Sequence, residues 1–382
     1  MDRRIFVVFI MLGLVSLFAD IVYEGARSAL GSYLYILGAS ALATGLTGVG
    51  EFLGCVARFV SGSIASLYRS SKILWGTTIA GYAVQLISVP LLAFVGRWDA
   101  ALVLIFIERL SKGLRAPTRD AILAEVSTSV GGKGKGFGIH ELLDQLGAIM
   151  GPIIFSAALA SRGWGYAFLI LAIPGAIAVT IVTASYFMYP DVKSFRVKSS
   201  ISVKGFGRTF YLYLLSMALL SMGFIHWGLV SYHLGTYTSG EVVALTYSIA
   251  MLSDAVIAIP IGVIYDRVGL RTLIVAPVVA MAIPLLLFMN TVTSMIMVAV
   301  LWGIVTAIYE TIMRAAIADL VPGHMMPMAY GLFGLLYGVS WAIGSVLIGF
   351  LYTVNLYAVT LYVAISEALS ASIVAYIGKK HW

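Results

Sequence analysis

Charged side chains recur inside the most apolar stretches of this sequence, where ordinary packing would exclude them. Within residues 5–35, Asp20, Glu24 and Arg27 are spaced by four and then three residues, which places them on one face of a helix. A carboxyl group that is partly removed from water beside an arginine can take up and release a proton as its surroundings change. This spacing therefore predicts proton exchange or the binding of a charged solute.

A second set of ionisable residues lies in later apolar stretches. Glu108 and Lys112 fall on one helical stripe, and Arg109 is turned away from it by about 100°. We expect Asp20 or Glu24 to carry the proton, with Arg109 as the electrostatic partner. The residues predicted for proton coupling and the substrate cavity are Asp20, Glu24, Glu51, Glu108, Arg109, Lys112, Asp144 and His226.

The stretches that hold these residues are long enough to cross a bilayer as helices. The chain of 382 residues is 61% apolar and 11% charged, whereas a typical soluble domain is about 25% charged. Apolar runs of roughly 20 residues or more recur along its whole length, which predicts an all-α membrane protein with twelve transmembrane helices. These helices are expected at about 5–35, 41–66, 73–95, 99–124, 135–160, 164–188, 208–234, 241–265, 272–290, 293–320, 326–352 and 356–377.

Basic residues in the short connections predict the orientation. With the N-terminus inside, the cytoplasmic segments carry nearly all the lysine and arginine outside the helices, and the opposite side carries only Arg97 and Arg162. Cytoplasmic loops are enriched in these residues. We therefore expect a multi-pass protein of the cytoplasmic membrane with both termini in the cytoplasm.

The two halves of the sequence contain similar segments, as in an internal repeat. Residues 119–122 (Arg-Asp-Ala-Ile) resemble residues 314–317 (Arg-Ala-Ala-Ile), and both fall in the fourth predicted helix of their half. Duplicated halves are common in secondary transporters. We predict two pseudo-symmetric six-helix bundles, residues 1–189 and 208–382, joined by a cytoplasmic linker at 190–207, which alternate access to a central polar cavity.

Residues 262–271 read Gly-Val-Ile-Tyr-Asp-Arg-Val-Gly-Leu-Arg and fall between two predicted helices. This stretch resembles the G-x-x-x-D-R-x-G-R signature of the Major Facilitator Superfamily. The first-half equivalent, residues 62–66, lacks the acidic residue and the arginine that follows it. The resemblance implies a gating loop formed by Gly262, Asp266, Arg267, Gly269 and Arg271.

Two further stretches carry the same resemblance. Arg109 to Gly113 is similar to the family's R-x-x-x-G motif, whose arginine is implicated in proton coupling. Gly147, Gly151 and Pro152 resemble the beginning of a motif associated with exporters, although the glycine pair that should follow is absent. The resemblance therefore implies proton-coupled antiport, and a monomer.

These observations together predict a secondary active transporter that exports a small organic molecule in exchange for protons. A proton-coupled importer and a divalent-metal exporter remain alternatives, the latter with Asp20, Glu24, His140 and Asp144 as ligands. A membrane-embedded enzyme is a hypothesis from a different functional class, but the sequence contains no catalytic motif and no nucleotide-binding motif. We therefore expect no catalytic residues, no cofactor and no bound metal. We also expect no nucleic-acid partner, because the net charge of +7 is dispersed over short loops.

Overall fold

The computed structural model of the chain describes residues 3–68, 70–192, 205–322 and 325–380. Within these ranges all regular secondary structure is helical, and no strand occurs. The all-α fold class is therefore confirmed for the part of the chain that is described. Most of the predicted linker at 190–207, together with Arg69, lies outside the described residues.

In the described part of the first half, eight α-helices follow the predicted apolar stretches. A tight turn splits the first of these stretches, so that residues 5–35 form two helices rather than one. The helices are α1 (Arg3–Ser28), α2 (Leu30–Ile36), α3 (Ala41–Gly45), α4 (Thr47–Tyr68), α5 (Ser71–Leu91), α6 (Trp98–Val126), α7 (Lys133–Ile170) and α8 (Ala172–Met188).

Eight more α-helices form the second half within the described residues. A short 3-10 segment, Gly269–Ile274, connects two of them. The helices are α9 (Arg208–Gly223), α10 (Trp227–Leu234), α11 (Gly240–Val268), α12 (Val275–Leu287), α13 (Val292–Glu310), α14 (Ile312–Leu320), α15 (Met326–Val354) and α16 (Leu356–Lys380).

Eight segments of the described chain are long and apolar enough to cross a membrane. Two of them, residues 135–188 and 240–287, are 54 and 48 residues long, more than twice the length that a single crossing needs. Both are interrupted where the backbone departs from α-helical geometry. Gly163 in α7 has a φ of +80°, and Gly269 after α11 has a φ of +67°, values that glycine adopts without steric cost.

The contacts between residues divide the chain into two compact units. Unit 1 comprises residues 1–30, 53–197 and 240–248, and unit 2 comprises residues 31–52, 198–239 and 249–382. Each unit therefore draws most of its residues from one half of the sequence and a short segment from the other. The predicted bundle boundaries remain a prediction.

In unit 1, α1 packs along α7 and α8, and glycines allow the closest contacts. A Cβ atom added at Gly151 of α7 would lie 2.5 Å from the carbonyl oxygen of Ile21, and one added at Gly147 would lie 2.5 Å from that of Leu17. Small residues permit this kind of backbone approach between membrane helices. The contact fixes the face of α1 that carries the charged residues.

In unit 2, α9 packs against α15 and α16, and aromatic side chains fill its core. The Nε1 of Trp302 donates to the carbonyl oxygen of Ile225, in the break between α9 and α10. Phe224 in the same break stacks on Trp302 with ring centroids 5.5 Å apart. The break is therefore buried in protein, as irregular backbone at membrane depth must be.

Candidate functional site

The aromatic ring of Tyr23, which is buried in unit 1, is surrounded by three cationic side chains. The Nζ atom of Lys112 lies 3.3 Å from the ring centroid and the guanidinium carbon of Arg109 lies 4.3 Å from it. The guanidinium carbon of Arg27 is 5.7 Å away. Because the face of an aromatic ring attracts cations at these distances, the ring holds the three charges together. We call these residues, with the carboxyl groups described next, the Tyr23 cluster.

Two carboxylates balance part of this charge. Glu108 accepts a hydrogen bond of 2.8 Å from Nη1 of Arg109, and both side chains are almost fully buried. Glu24 Oε2 lies 3.5 Å from Nη1 of Arg27 and accepts a 2.7 Å hydrogen bond from the hydroxyl of Tyr247. Burial makes each of these pairs costly to break, because the partner left behind would be an uncompensated charge.

Asp20 completes the cluster on the side of α7. The Asp20 side chain is half-buried, one turn before Glu24 on α1. A Cβ atom added at Gly147 of α7 would lie 3.0 Å from the Cβ atom of Asp20. Lys112 is within electrostatic reach of both Asp20 and Glu24. The structure thus brings together five of the predicted site residues. These are Asp20, Glu24, Glu108, Arg109 and Lys112.

Close helix contacts hold α6 and α1 in this arrangement. Gly113 of α6 lies so near α4 that an added Cβ would be 2.2 Å from the carbonyl oxygen of Gly54. Gln85 of α5 donates a 3.0 Å hydrogen bond to the carbonyl oxygen of Ala19, next to Asp20. The charged side chains therefore project from helices whose spacing is fixed by backbone contacts.

A small cavity opens beside the cluster in unit 1. One end is polar, where two guanidinium groups and one carboxylate face it, and the rest is mostly apolar. The residues that line it are Tyr23, Ala26, Arg27, Leu30, Ser88, Val89, Leu92, Leu104, Ile105, Glu108 and Arg109. Its free volume is about 20 Å³, which is room for about one water molecule. The apolar walls and few convergent polar groups are typical of a small-molecule site, but an organic solute could enter only if the surrounding helices moved apart.

Asp144, also predicted for the site, is paired with a residue of its own helix. Its Oδ2 atom lies 3.9 Å from Nε2 of His140, which in turn is 3.2 Å from the hydroxyl of Ser16. Arg119 donates to the same hydroxyl over 3.1 Å. In the described part of the chain, no three histidine, cysteine or acidic side chains are grouped so as to hold a metal ion. The divalent-metal alternative therefore gains no support from these residues.

Glu51 and His226 lie near each other in unit 2 rather than in the unit that contains Tyr23. Nδ1 of His226 accepts the backbone N–H of Gly228 over 3.0 Å and so caps α10. Because this nitrogen is the acceptor, the neutral ring carries its proton on Nε2. Nε2 lies 3.7 Å from Oε1 of Glu51. These two residues form a separate polar contact at the break between α9 and α10.

The residues of the predicted gating loop are mostly helical. Gly262, Asp266 and Arg267 belong to α11, so the signature does not lie in an open loop as the sequence suggested. Gly269 ends that helix with its positive φ, and Nε of Arg271 donates 2.9 Å to the carbonyl oxygen of Gly378. The helix extends further than expected because the stretch contains no helix-breaking residue before Gly269.

The residues of the exporter-like motif have a packing role. Gly147 and Gly151 meet the backbone of α1, as described above, and Pro152 lies within α7 beside them. The close approach of α7 to α1 accounts for both glycines. Any bearing of these residues on the direction of transport stays a prediction.

Two residues of interest were not among the predicted sites. Tyr247 donates to Glu24, yet nothing in its surroundings distinguishes it among the 21 tyrosines of the sequence. Glu367 of α16 has no exposed surface. Its position as the only charged residue within the last predicted helix was a usable signal that the site prediction did not adopt.

Comparison with known protein families gives one match along the chain. The profile of the Major Facilitator Superfamily matches residues 5–242 and 209–380. An uncharacterised protein of Mycobacterium tuberculosis is 35% identical over 370 residues, which cover 94% of this chain and 90% of that protein. An uncharacterised MFS-type transporter of Methanocaldococcus jannaschii is 24% identical over 388 residues, covering 98% of this chain and 96% of that protein.

Solved transporter structures have a similar fold. A mutant of the nucleoside transporter NupG superposes with a TM-score of 0.78 at 15% identity, covering 98% of this chain and all of that one. A POT family transporter in complex with 5-aminolevulinic acid gives a TM-score of 0.75 at 17% identity, covering 97% of this chain and 95% of that chain. At such low identity the likeness concerns the fold only.

Proposed function

Because this chain belongs to the Major Facilitator Superfamily, and is therefore a multi-pass membrane transporter rather than an enzyme, we propose that it couples proton movement to the transport of a small organic acid. The observation that carries the proposal is the pair of guanidinium groups, Arg27 and Arg109, which face one apolar-walled cavity in unit 1. Arginine binds carboxylate and phosphate groups with two parallel hydrogen bonds.

The substrate's acidic group would bind at the polar end of this cavity and its organic part against the apolar wall. Lys112 adds a third positive charge at the ring of Tyr23. A solved POT family transporter holds 5-aminolevulinic acid, an organic acid of small size. At 17% identity the likeness concerns the fold, so the proposed chemical class rests on the guanidinium groups of this chain.

Protonation of a carboxyl group in the cluster would couple the two solutes. While Glu24 and Glu108 are ionised, they hold Arg27 and Arg109 in ion pairs, which compete with an incoming anion. A proton on either carboxyl group removes that competition and leaves the cluster with net positive charge. Proton and anion therefore favour each other's binding, which is the condition for reciprocal coupling.

This reciprocity favours cotransport of proton and anion in the same direction, the importer alternative of the sequence analysis. Export by antiport requires instead that the proton and the substrate compete for one group, as a cationic substrate would do at Asp20 or Glu24. The two mechanisms move protons in opposite directions when substrate is added. A flux measurement therefore distinguishes them.

The proposal includes the architecture of twelve membrane-spanning helices. The 54- and 48-residue segments would each cross twice, at the interruptions near Gly163 and Gly269. The helices α4 and α6 would cross as well, although they carry more charge than an ordinary span. We propose that bundles 1–189 and 208–382 alternate access, as a monomer in the cytoplasmic membrane with both termini inside.

The test is proton flux into liposomes that contain the purified full-length protein and a trapped pH-sensitive dye. Organic acids, organic cations, neutral solutes and divalent metals are added outside, one class at a time. We expect an organic acid to acidify the lumen with saturation, because proton and anion enter together. Alkalinisation by an organic cation would establish antiport, and proton-independent uptake of every class would overturn the proposal.

A further inference from the structure

The hydroxyl-bearing side chains of α16 that face α9 form a regular set of contacts within unit 2. The hydroxyl of Ser366 donates 2.7 Å to the carbonyl oxygen of Leu219 and that of Ser370 donates 2.9 Å to the carbonyl oxygen of Ser216. Tyr362 donates to the carbonyl oxygen of Met222 over 3.3 Å. The surface of α9 that faces α16 therefore presents carbonyl acceptors to these three donors, and its own hydroxyl at Ser216 is bonded to Ser370 at 3.0 Å.

Glu367 lies among these contacts without a partner. Its side chain has no exposed surface, and neither carboxyl oxygen makes a hydrogen bond or an ion pair among the residues that the structure describes. The carboxyl group faces Gly223, where an added Cβ atom would lie 2.6 Å from Oε1. It sits about 16 Å along α16 from the first residue of that helix, near the helix middle.

An ionised carboxylate is strongly disfavoured at this position. It accepts hydrogen bonds but cannot donate one, and no group among the described residues donates to it. The C-terminal end of α9 at Gly223 contributes a further negative partial charge. A protonated carboxyl group has a hydroxyl and can donate like its serine neighbours, so the neutral acid is the form that fits.

No cation on the neighbouring helices is close enough to compensate an ionised Glu367. The elements packed against α16 are α9, α12, α15 and the 3-10 segment Gly269–Ile274. Within their described residues the only charged side chains are Arg208, about 22 Å away along α9, and Arg271, which reaches Gly378 about 16 Å along α16. The other ionisable side chains on these elements and on the adjoining part of α16 are tyrosines: Tyr211, Tyr213, Tyr330, Tyr337, Tyr352, Tyr357, Tyr362 and Tyr376.

We propose that Glu367 is a second proton-binding site, located in unit 2 and loaded with a proton in this conformation. The break between α9 and α10, residues 224–226, directly follows Gly223, which lies beside Glu367. Broken helices provide ion sites in many transporters. Movement of α9 at this break would separate Gly223 from Glu367, admit water and allow the proton to leave. The role in transport rests on the function proposed above, whereas the buried protonated acid does not.

Infrared spectroscopy of the full-length protein in lipid bilayers tests the site without any transport. A buried protonated carboxyl group gives a C=O stretching band that persists at neutral and mildly alkaline pH. We expect this band to be lost in Glu367→Gln and kept in Glu141→Gln, the matched removal of an exposed carboxyl group. Retention of the full band in Glu367→Gln would overturn the proposal. Loss of the wild-type band when Na⁺ replaces choline would overturn it as well.

Thermal unfolding and proton flux complete the test. Glutamine is close in shape and charge to a protonated glutamic acid, so Glu367→Gln should unfold at the wild-type temperature. A large destabilisation would contradict the neutral state. In liposomes the variant should move fewer protons per substrate than the wild type. If the wild type moves none, the proposed function fails, and the infrared result still decides whether Glu367 holds a proton.

Discussion

At the scale of single residues, Tyr23 organises the candidate site. Lys112 and Arg109 lie 3.3 and 4.3 Å from its ring centroid, so two like charges are attracted to one ring. Each cation–π contact is worth about 0.5–2 kcal/mol, and the neighbouring carboxylates supply the rest of the compensation. The ring therefore does more than line a pocket, because it sets the positions of charges that we expect to contact substrate.

Replacement of the ring tests this role. We expect Tyr23→Leu to raise the KM for the substrate by roughly fivefold to thirtyfold, because about 1–2 kcal/mol of cation positioning is lost. Tyr23→Phe keeps the ring face and should have a smaller effect. Transport kinetics in liposomes measure both, and equal effects in the two variants would show that the hydroxyl rather than the ring is responsible.

The geometry of the guanidinium groups gives a second prediction. Arg27→Lys keeps the charge but loses the planar fork that binds an acidic group, so the KM for an organic acid should rise by about tenfold. Arg58→Lys, an exposed position on α4, serves as the control and should leave the KM unchanged. A KM for Arg27→Lys that equals the wild-type value would remove Arg27 from the substrate site.

At the scale of helices, the apolar periodicity of the sequence predicted where helices lie but not where they break. The interruption at Phe224–His226 falls inside an apolar stretch with no proline, and the glycines that flank it, Gly223 and Gly228, are not distinctive among the 39 of the sequence. The structure brings Asp20, Glu24 and Arg109 to the ring of Tyr23 within unit 1, and their role in proton coupling stays a prediction. Glu51 lies beside His226 in unit 2, a contact that depends on side-chain packing, which a single sequence does not display.

The contact between α1 and α7 gives a prediction at the same scale. Gly151→Ala would place a methyl group 2.5 Å from the carbonyl oxygen of Ile21, and the helices must separate to admit it. We expect a loss of about 1–3 kcal/mol in stability, seen as a lower unfolding temperature in detergent. Gly138→Ala on the same helix meets nothing within 4 Å. If both variants unfold at the same temperature, the contact does not limit stability.

At the scale of the whole molecule, family membership accounts for the fold, and the two units differ in what they offer. Unit 1 contains balanced ion pairs beside a cavity, whereas unit 2 contains a buried carboxyl group, Glu367, that has no hydrogen-bond or ion-pair partner among the described residues. A transporter needs its bound solutes to change the balance between conformations. In our proposal, unit 1 binds the substrate together with a proton, and unit 2 binds a second proton at Glu367. These bound solutes would change the balance between conformations.

The measurement that tests the central claim most directly is uphill uptake of a radiolabelled organic acid, identified in the flux panel, into liposomes with an imposed pH gradient. We predict accumulation above the external concentration in the wild type, collapse of that accumulation by a protonophore, and its loss in Glu24→Gln with facilitated exchange retained. Glu24→Gln removes the titratable group but keeps the shape that Tyr247 contacts. Uptake that ignores the pH gradient would contradict proton coupling, and full accumulation in Glu24→Gln would exclude Glu24 as the group that carries the proton.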